Sequence, residues 1–165
     1  IGSAAIQICK NIGAKIISTA GNSNKMQFCL DSGSNYVVDH KSKYMYEKIK
    51  NITNNAGVDV VFEHIGFKTW EFSLNILSKG GRIVTCGATT GNKVKIDLAH
   101  LFIKQQSILG STMSNLLSFK EVFEKINLGV YRPNIGKVFN FNEVRDAHKY
   151  MNDRMQIGKI VLSFN

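Results

Sequence analysis

Gly57-Val58-Asp59-Val60-Val61-Phe62-Glu63-His64-Ile65-Gly66, and after it Gly80-Gly81-Arg82-Ile83-Val84-Thr85-Cys86-Gly87, is the stretch on which the fold turns. Each part is a short β-branched run entered from glycine and left through a glycine-containing turn. That pattern predicts a buried strand. Between them Phe67 to Leu77 places Trp70, Leu74 and Leu77 on one side of a helix ended by Gly80-Gly81. Strand, helix and strand at short loop spacing predict a right-handed crossover onto a parallel sheet.

Working outward, the same alternation continues in both directions. Ile1 to Ile12 carries Ala4, Ala5, Ile8 and Ile12 at helical spacing, with Gly13 as a helix-ending glycine. Lys15 to Ala20 predicts a strand, and Asn22 or Ser23 can cap a helix through Leu30, closed by Gly33. Tyr36 to Asp39 is the next strand, and Tyr44 to Ile52 the next helix, with Tyr44, Ile49 and Ile52 among its apolar positions. After the turn at Cys86 to Gly91, the tail predicts a strand near Ser107 to Met113 and a helix over Phe119 to Leu128. A Pro133 turn, strand Lys137 to Phe141, helix Glu143 to Met151 and strand Lys159 to Phe164 complete it.

Composition narrows the class. A chain of 165 residues with 44% hydrophobic and 20% charged residues suits one main globular domain. No apolar run reaches the roughly 18–20 residues that span a bilayer. Ile1 to Lys10 has neither a basic leader nor a cleavage-like end, so it is not read as a signal peptide. The absence of an initiator Met leads us to expect a cut through a longer protein. Cys9, Cys29 and Cys86 are too few and too scattered for a disulfide framework or a zinc pattern, which favours reduced thiols in the cytoplasm. The net charge of +9 raises nucleic-acid binding, but the lysines stand singly with Asn nearly as frequent, and no basic stripe interleaves with aromatics. No nucleic acid and no membrane are expected as partners.

In such folds ligands bind at the carboxyl ends of the strands. Three strand ends qualify: Thr19 to Ser23, Glu63 to Gly66 and Cys86 to Gly91. Their small residues let a backbone approach a ligand closely and supply N–H and hydroxyl donors. The ordinary alternative is that strand-to-helix turns use these residues anyway. Three such turns in one series favour a site. A dinucleotide fold usually places a carboxylate about 20 residues beyond its glycine fingerprint, on the adenosine ribose. Counted from Gly2, that position falls at Ala20 to Asn22, where no carboxylate stands. Gly21, Asn22, Ser23 and Asn24 leave room, and Lys25 adds positive charge, which favours the 2′-phosphate of NADP while leaving NAD possible.

Taken in order, these segments resemble the zinc-type alcohol dehydrogenase and quinone reductase branch of the medium-chain dehydrogenase/reductase superfamily. The resemblance runs nearly end to end. It rests on Gly2-Ser3-Ala4-Ala5-Ile6-Gln7, Gly13-Ala14-Lys15-Ile16-Ile17, the two glycine-led strands above, Cys86-Gly87-Ala88-Thr89-Thr90-Gly91, Gly110-Ser111-Thr112-Met113 and Gly158-Lys159-Ile160-Val161-Leu162. It implies an α/β fold: a Rossmann-type parallel sheet with helices on both faces. It further implies a first strand before Ile1 and a tail that returns toward a GroES-like domain outside this chain. The missing strand is central in the order 3-2-1-4-5-6, so a gap in the sheet is expected. Residues 1–130 would form the dinucleotide-binding domain, and 131–165 the tail.

The resemblance also places residues. Gly2 is similar to the last fingerprint glycine, at a helix N-terminus suited to the pyrophosphate. Gly21, Ser23 and Lys25 match the 2′-phosphate corner, and His40 stands where relatives often carry a Tyr near the adenosine. His64-Ile65-Gly66 resembles the loop along the cofactor ribose, with Ile65 and Gly66 as the contact positions. Gly87, Ala88 and Thr89 resemble the segment whose backbone meets the nicotinamide, and Lys159 a basic residue reaching the phosphates. Ordinary readings stand beside several of these, such as a loop histidine for His40 and a surface lysine for Lys159. The resemblance puts zinc ligands only in the absent domain; Cys86 and His64 belong to no ligand cluster. No catalytic residue is assigned. The implied reaction is hydride exchange between a nicotinamide and an alcohol or aldehyde. The alternatives are a zinc-free NADPH quinone or enoyl reductase, and a non-catalytic fragment that only binds dinucleotide or dimerises. In dimeric relatives Ser107 to Met113 pairs edge to edge with its copy, which suits an apolar edge strand.

Overall fold

A computed structural model describes residues 1–164 of the chain. The backbone gathers into two compact units, one of Ile1–Asp39 with the residues from Leu116 on, the other of His40–Asn115.

The first unit opens with α1 (Gly2–Asn11), which ends as expected before Gly13 at φ +75°. Its inward face differs from the expectation. Ile6 is buried, whereas Ile8 and Ile12 are exposed. Beside Ile6, the half-buried Gln7 amide both donates to the Arg132 carbonyl (3.0 Å) and accepts from the Arg132 N–H (2.8 Å). β1 (Ile17–Ala20) and β2 (Tyr36–Asp39) run parallel, joined through α2 (Ser23–Asp31). Asn22, rather than Ser23, caps α2: its side-chain oxygen accepts from Lys25 N–H at 2.9 Å. The later elements of this unit are α6 (Leu116–Asn127), β6 (Ile135–Asn140), a 3-10 turn at Phe141–Glu143, α7 (Val144–Asn152) and β7 (Lys159–Ser163). β6 and β7 are parallel, with Phe139 buried and its ring 5.8 Å from that of Tyr150 on α7.

The second unit is α3 (Met45–Ile52), β3 (Val58–Glu63), α4 (Trp70–Asn75), β4 (Leu77–Thr85), α5 (Leu98–Ile103) and β5 (Ser107–Gly110). Its strands are all parallel, in the order β3-β4-β5. Trp70, Leu74, Leu77 and the fully enclosed Ile83 form the core, flanked by Val58, Val61, Val94, Leu101 and Ile108.

Further details depart from the sequence expectation. α4 begins at Trp70 rather than Phe67, because the N–H groups of Thr69 and Trp70 first return to the Gly66 carbonyl. Leu77 and Gly80-Gly81 belong to β4 rather than to the helix and its stop; Leu77 pairs with Val58 ahead of a register irregularity. In α3, Ile49 is buried while Tyr44 lies outside the helix and exposed. Finally, β3 is not buried throughout: Val60 is 43% and Phe62 46% exposed. Val61 packs on the core and Glu63 bonds to α4, so alternation sends Val60 and Phe62 to the opposite face. The short helix α5 has no counterpart in the sequence reading; Asp97 caps it by accepting from the N–H groups of Ala99 and His100.

Among the described residues, β1-β2, β3-β4-β5 and β6-β7 are separate parallel sheets.

Candidate functional site

In the second unit the carboxyl ends of β3 and β4 lead into two turns, His64–Gly66 and Cys86–Gly91, that are bound to each other by hydrogen bonds. The Ile65 carbonyl accepts from both the N–H (2.8 Å) and the hydroxyl (2.7 Å) of Thr90. Phe67 N–H donates to the Gly91 carbonyl at 3.0 Å, and Lys68 N–H to the Thr90 hydroxyl at 3.1 Å. Cys86 N–H donates to the Glu63 carbonyl at 3.1 Å. The approach at Gly66 is close enough to require glycine. Its φ is +85°, and a Cβ there would strike the Gly91 carbonyl oxygen and lie 3.0 Å from Ala88 Cα.

These bonds bring Ile65, Gly66, Gly87, Ala88 and Thr89 together. Gly66 is buried, Ile65 and Gly87 are half-buried, and Ala88 and Thr89 are exposed. The arrangement presents a backbone edge of small residues beyond the strand ends.

Glu63, which the sequence reading did not single out, lies beneath this pair of turns. It is 3% exposed, yet it ends a strand and bears a carboxylate. One carboxylate oxygen accepts from the N–H groups of Ile65 (2.7 Å) and Gly66 (3.1 Å). The other accepts from the Ser73 hydroxyl at 2.5 Å, while the Thr69 hydroxyl lies 3.0 Å from both. Burial alone would push the carboxyl up. The bonds from Ser73, Ile65, Gly66 and Thr69 outweigh it and hold the group below the usual carboxylate range. The available signal in the sequence was an acid directly after the apolar run Val60-Val61-Phe62.

The remaining predicted residues lie on other elements. In the first unit Gly21 leaves β1 half-buried, and Ser23 opens α2 exposed. Lys25 is engaged: its ammonium donates to the Arg154 carbonyl at 2.6 Å. Gly2 opens α1, whose first turn has no acid and no side-chain cap. Lys159 starts β7 with its side chain exposed, its N–H donating to the Asn134 carbonyl at 2.7 Å. His40 follows β2 and is exposed; it belongs to the second unit. The structure therefore groups five of the residues at one pair of turns and leaves the others distributed over α1, β1–α2, β2 and β7. A cavity of about 180 Å³ in the second unit opens at the other ends of the strands, beside Gly57, Leu77 and Lys104, and none of the predicted residues lines it. Among the described residues no three His, Cys, Asp or Glu side chains come together as a metal site, and no helix is long and apolar enough to cross a membrane.

Comparison with known proteins identifies the family. Residues 1–127 match the zinc-binding dehydrogenase family. The chain belongs to that family. A quinone oxidoreductase of Salmonella typhimurium is 29% identical over 175 aligned positions, covering 98% of this chain and 53% of the relative. A solved NAD-dependent alcohol dehydrogenase superposes with a TM-score of 0.91 at 31% identity, covering 99% of this chain and 48% of that one. A 2-haloacrylate reductase gives 0.84 at 27% identity, over 99% of this chain and 54% of the other. The chain thus spans about half the length of the relatives it matches.

The Glu63 site makes a prediction about acid stability. An unfolded glutamate titrates near about 4.3, above the folded value here. Its stabilising effect is therefore whole above that pH and is lost as pH falls through the lower folded value. Denaturant unfolding of the chain and of Glu63→Gln should differ by roughly 1.5–3 kcal/mol at neutral pH, the worth of hydrogen bonds to a charge. The difference should narrow as pH falls past the unfolded value and close below the lower folded one. A gap that persists unchanged into acid would contradict the assignment.

Proposed function

We propose that this chain is the cofactor-binding part of a nicotinamide-dependent oxidoreductase that moves hydride between the dinucleotide and an organic carbonyl, alcohol or quinone. The observation that carries the reading is the pair of turns locked by Ile65 and Thr90, which sets Ile65, Gly66, Gly87, Ala88 and Thr89 at the carboxyl ends of parallel strands. Family membership supports it, as do relatives that are named for oxidoreductase activities.

The residues present suit such a cofactor. Neither the first turn of α1 nor that of α2 contains an acid, so phosphate groups there would meet no like charge. When bound, the dinucleotide supplies the hydride chemistry. The chain would do the rest: the N–H groups at the start of α1, near Gly2, hold the pyrophosphate. The backbone at Ile65 and Gly66 lies along the ribose, and that of Gly87, Ala88 and Thr89 orients the nicotinamide. His40 and Lys159 are assigned to the adenosine and the phosphates on resemblance alone. Zinc, where the whole protein uses it, would be held outside this chain. An alcohol or aldehyde substrate agrees with the alcohol dehydrogenase neighbour, while a zinc-free quinone reductase agrees with the curated relatives.

NADP is favoured over NAD by Gly21, Ser23 and Lys25, with no carboxylate in the sequence from Ala20 to Lys25. The Lys25 ammonium has three donors, of which the Arg154 carbonyl takes one, leaving two for a 2′-phosphate. Calorimetric titration should show Lys25→Ala losing roughly tenfold in NADP affinity, the scale of one charge-assisted bond, with NAD little changed. Equal weakening of both cofactors would contradict the preference.

We also hold that the chain forms a homodimer through Ser107 to Met113. β5 pairs with β4 on one side only among the described residues, and Leu109 is 46% exposed. An apolar edge of this kind invites a second strand, and a lysine placed on it blocks pairing. Sedimentation should find a dimer for the chain and a monomer for Leu109→Lys. A monomer in both would remove the dimer.

A further inference from the structure

Glu63 is harder to account for than the rest of the site. A buried carboxylate is costly unless fully hydrogen-bonded. Here its partners are neutral: two backbone N–H groups and two hydroxyls. No cation joins them among the hydrogen bonds of the site. An apolar residue at this strand end would avoid the desolvation, but it would leave the N–H groups of Ile65 and Gly66 without their acceptor.

The geometry shows what the carboxylate does instead. One oxygen is tied to α4 through Ser73, and the Thr69 hydroxyl braces both. The other reaches forward along the chain and gathers the Ile65 and Gly66 N–H groups toward one point. With those N–H groups turned inward, the Ile65 carbonyl is left to accept the N–H and hydroxyl of Thr90. Thr90 and Gly91 in turn fix the segment that contains Ala88 and Thr89, since Gly91 N–H closes onto the Ala88 carbonyl at 3.1 Å. The chain of contacts runs from Ser73 to Glu63, to Ile65 and Gly66, to Thr90, and so to the exposed turn.

We propose that Glu63 is the positioning residue of the nicotinamide side of the dinucleotide site, setting the backbone at Ile65 and Gly66 and, through Thr90, the register of the Gly87–Thr89 turn. The inference rests on the dinucleotide reading above. It concerns only the nicotinamide end of the cofactor, and this separates it from a general effect on folding.

The test compares NADP with 2′,5′-ADP, which carries the adenosine phosphates but no nicotinamide. Both are titrated into the chain, into Glu63→Gln, and into Ser73→Ala, which removes one hydroxyl on α4 and keeps the carboxylate. Affinity of Glu63→Gln for NADP should fall by roughly tenfold or more, while 2′,5′-ADP binding stays within about twofold. Ser73→Ala should move in the same direction by a smaller factor and carries the comparison if Glu63→Gln does not fold. Parallel loss of both ligands, or loss of neither, in the folded variants would overturn the positioning role. So would an unsubstituted chain that binds NADP no more tightly than 2′,5′-ADP. A chain that binds neither ligand would instead overturn the dinucleotide reading itself.

Discussion

A carboxylate taken out of water must be given hydrogen bonds, and Glu63 receives them only when the chain after β3 folds back over it. The turn at Ile65 and Gly66 follows from that requirement. So does the outward carbonyl of Ile65, and hence the place of Thr90 and the turn after β4. The Ser73 hydroxyl ties the same carboxylate to α4, so the helix, both strand ends and both turns share one constraint. The hydrophobic core beneath supplies the platform: Ile83, on β4, is wholly enclosed and packs with Trp70 and Leu74. Rigid strands with a polar network at their carboxyl ends are what a backbone-recognised ligand needs.

Much of this fold was legible because hydrophobic period and glycine placement reported it directly. Tyr36 to Asp39 was read with its observed ends, and the Gly13 and Gly33 stops fall where φ is positive. Errors arose where tertiary contacts, rather than periodicity, chose the outcome. Ile8 and Ile12 follow a helical stripe, yet the side of α1 that is covered is the one with Ile6. Leu77 continues the stripe of Trp70 and Leu74, but it pairs with Val58 as the first residue of β4. Val60 and Phe62 looked uniformly buried because a β-branched run does not say which of its faces will be covered.

The site was legible in type and only partly in detail. Small residues after β3 and β4 marked the turns, since close backbone approach leaves a compositional trace such as Gly66. Glu63 left a fainter one. A single acid after an apolar run looks like the solvent end of a strand, and only the fold reveals that hydroxyls from Thr69 and Ser73 converge on it. Lys25 shows the reverse case. Its charge was read as open to a phosphate, whereas its ammonium already serves the Arg154 carbonyl. That bond uses one of the ammonium's three donors and fixes where the charge stands.

The most direct measurement of the central claim is a map of backbone amide shifts in the isotope-labelled chain as NADP is added. The account predicts that the largest changes fall on Ile65, Gly66, Ala88 and Thr89, with a second group at Gly21 and Ser23. Saturable changes confined to other segments, for example the cavity beside Gly57 and Lys104, would contradict it.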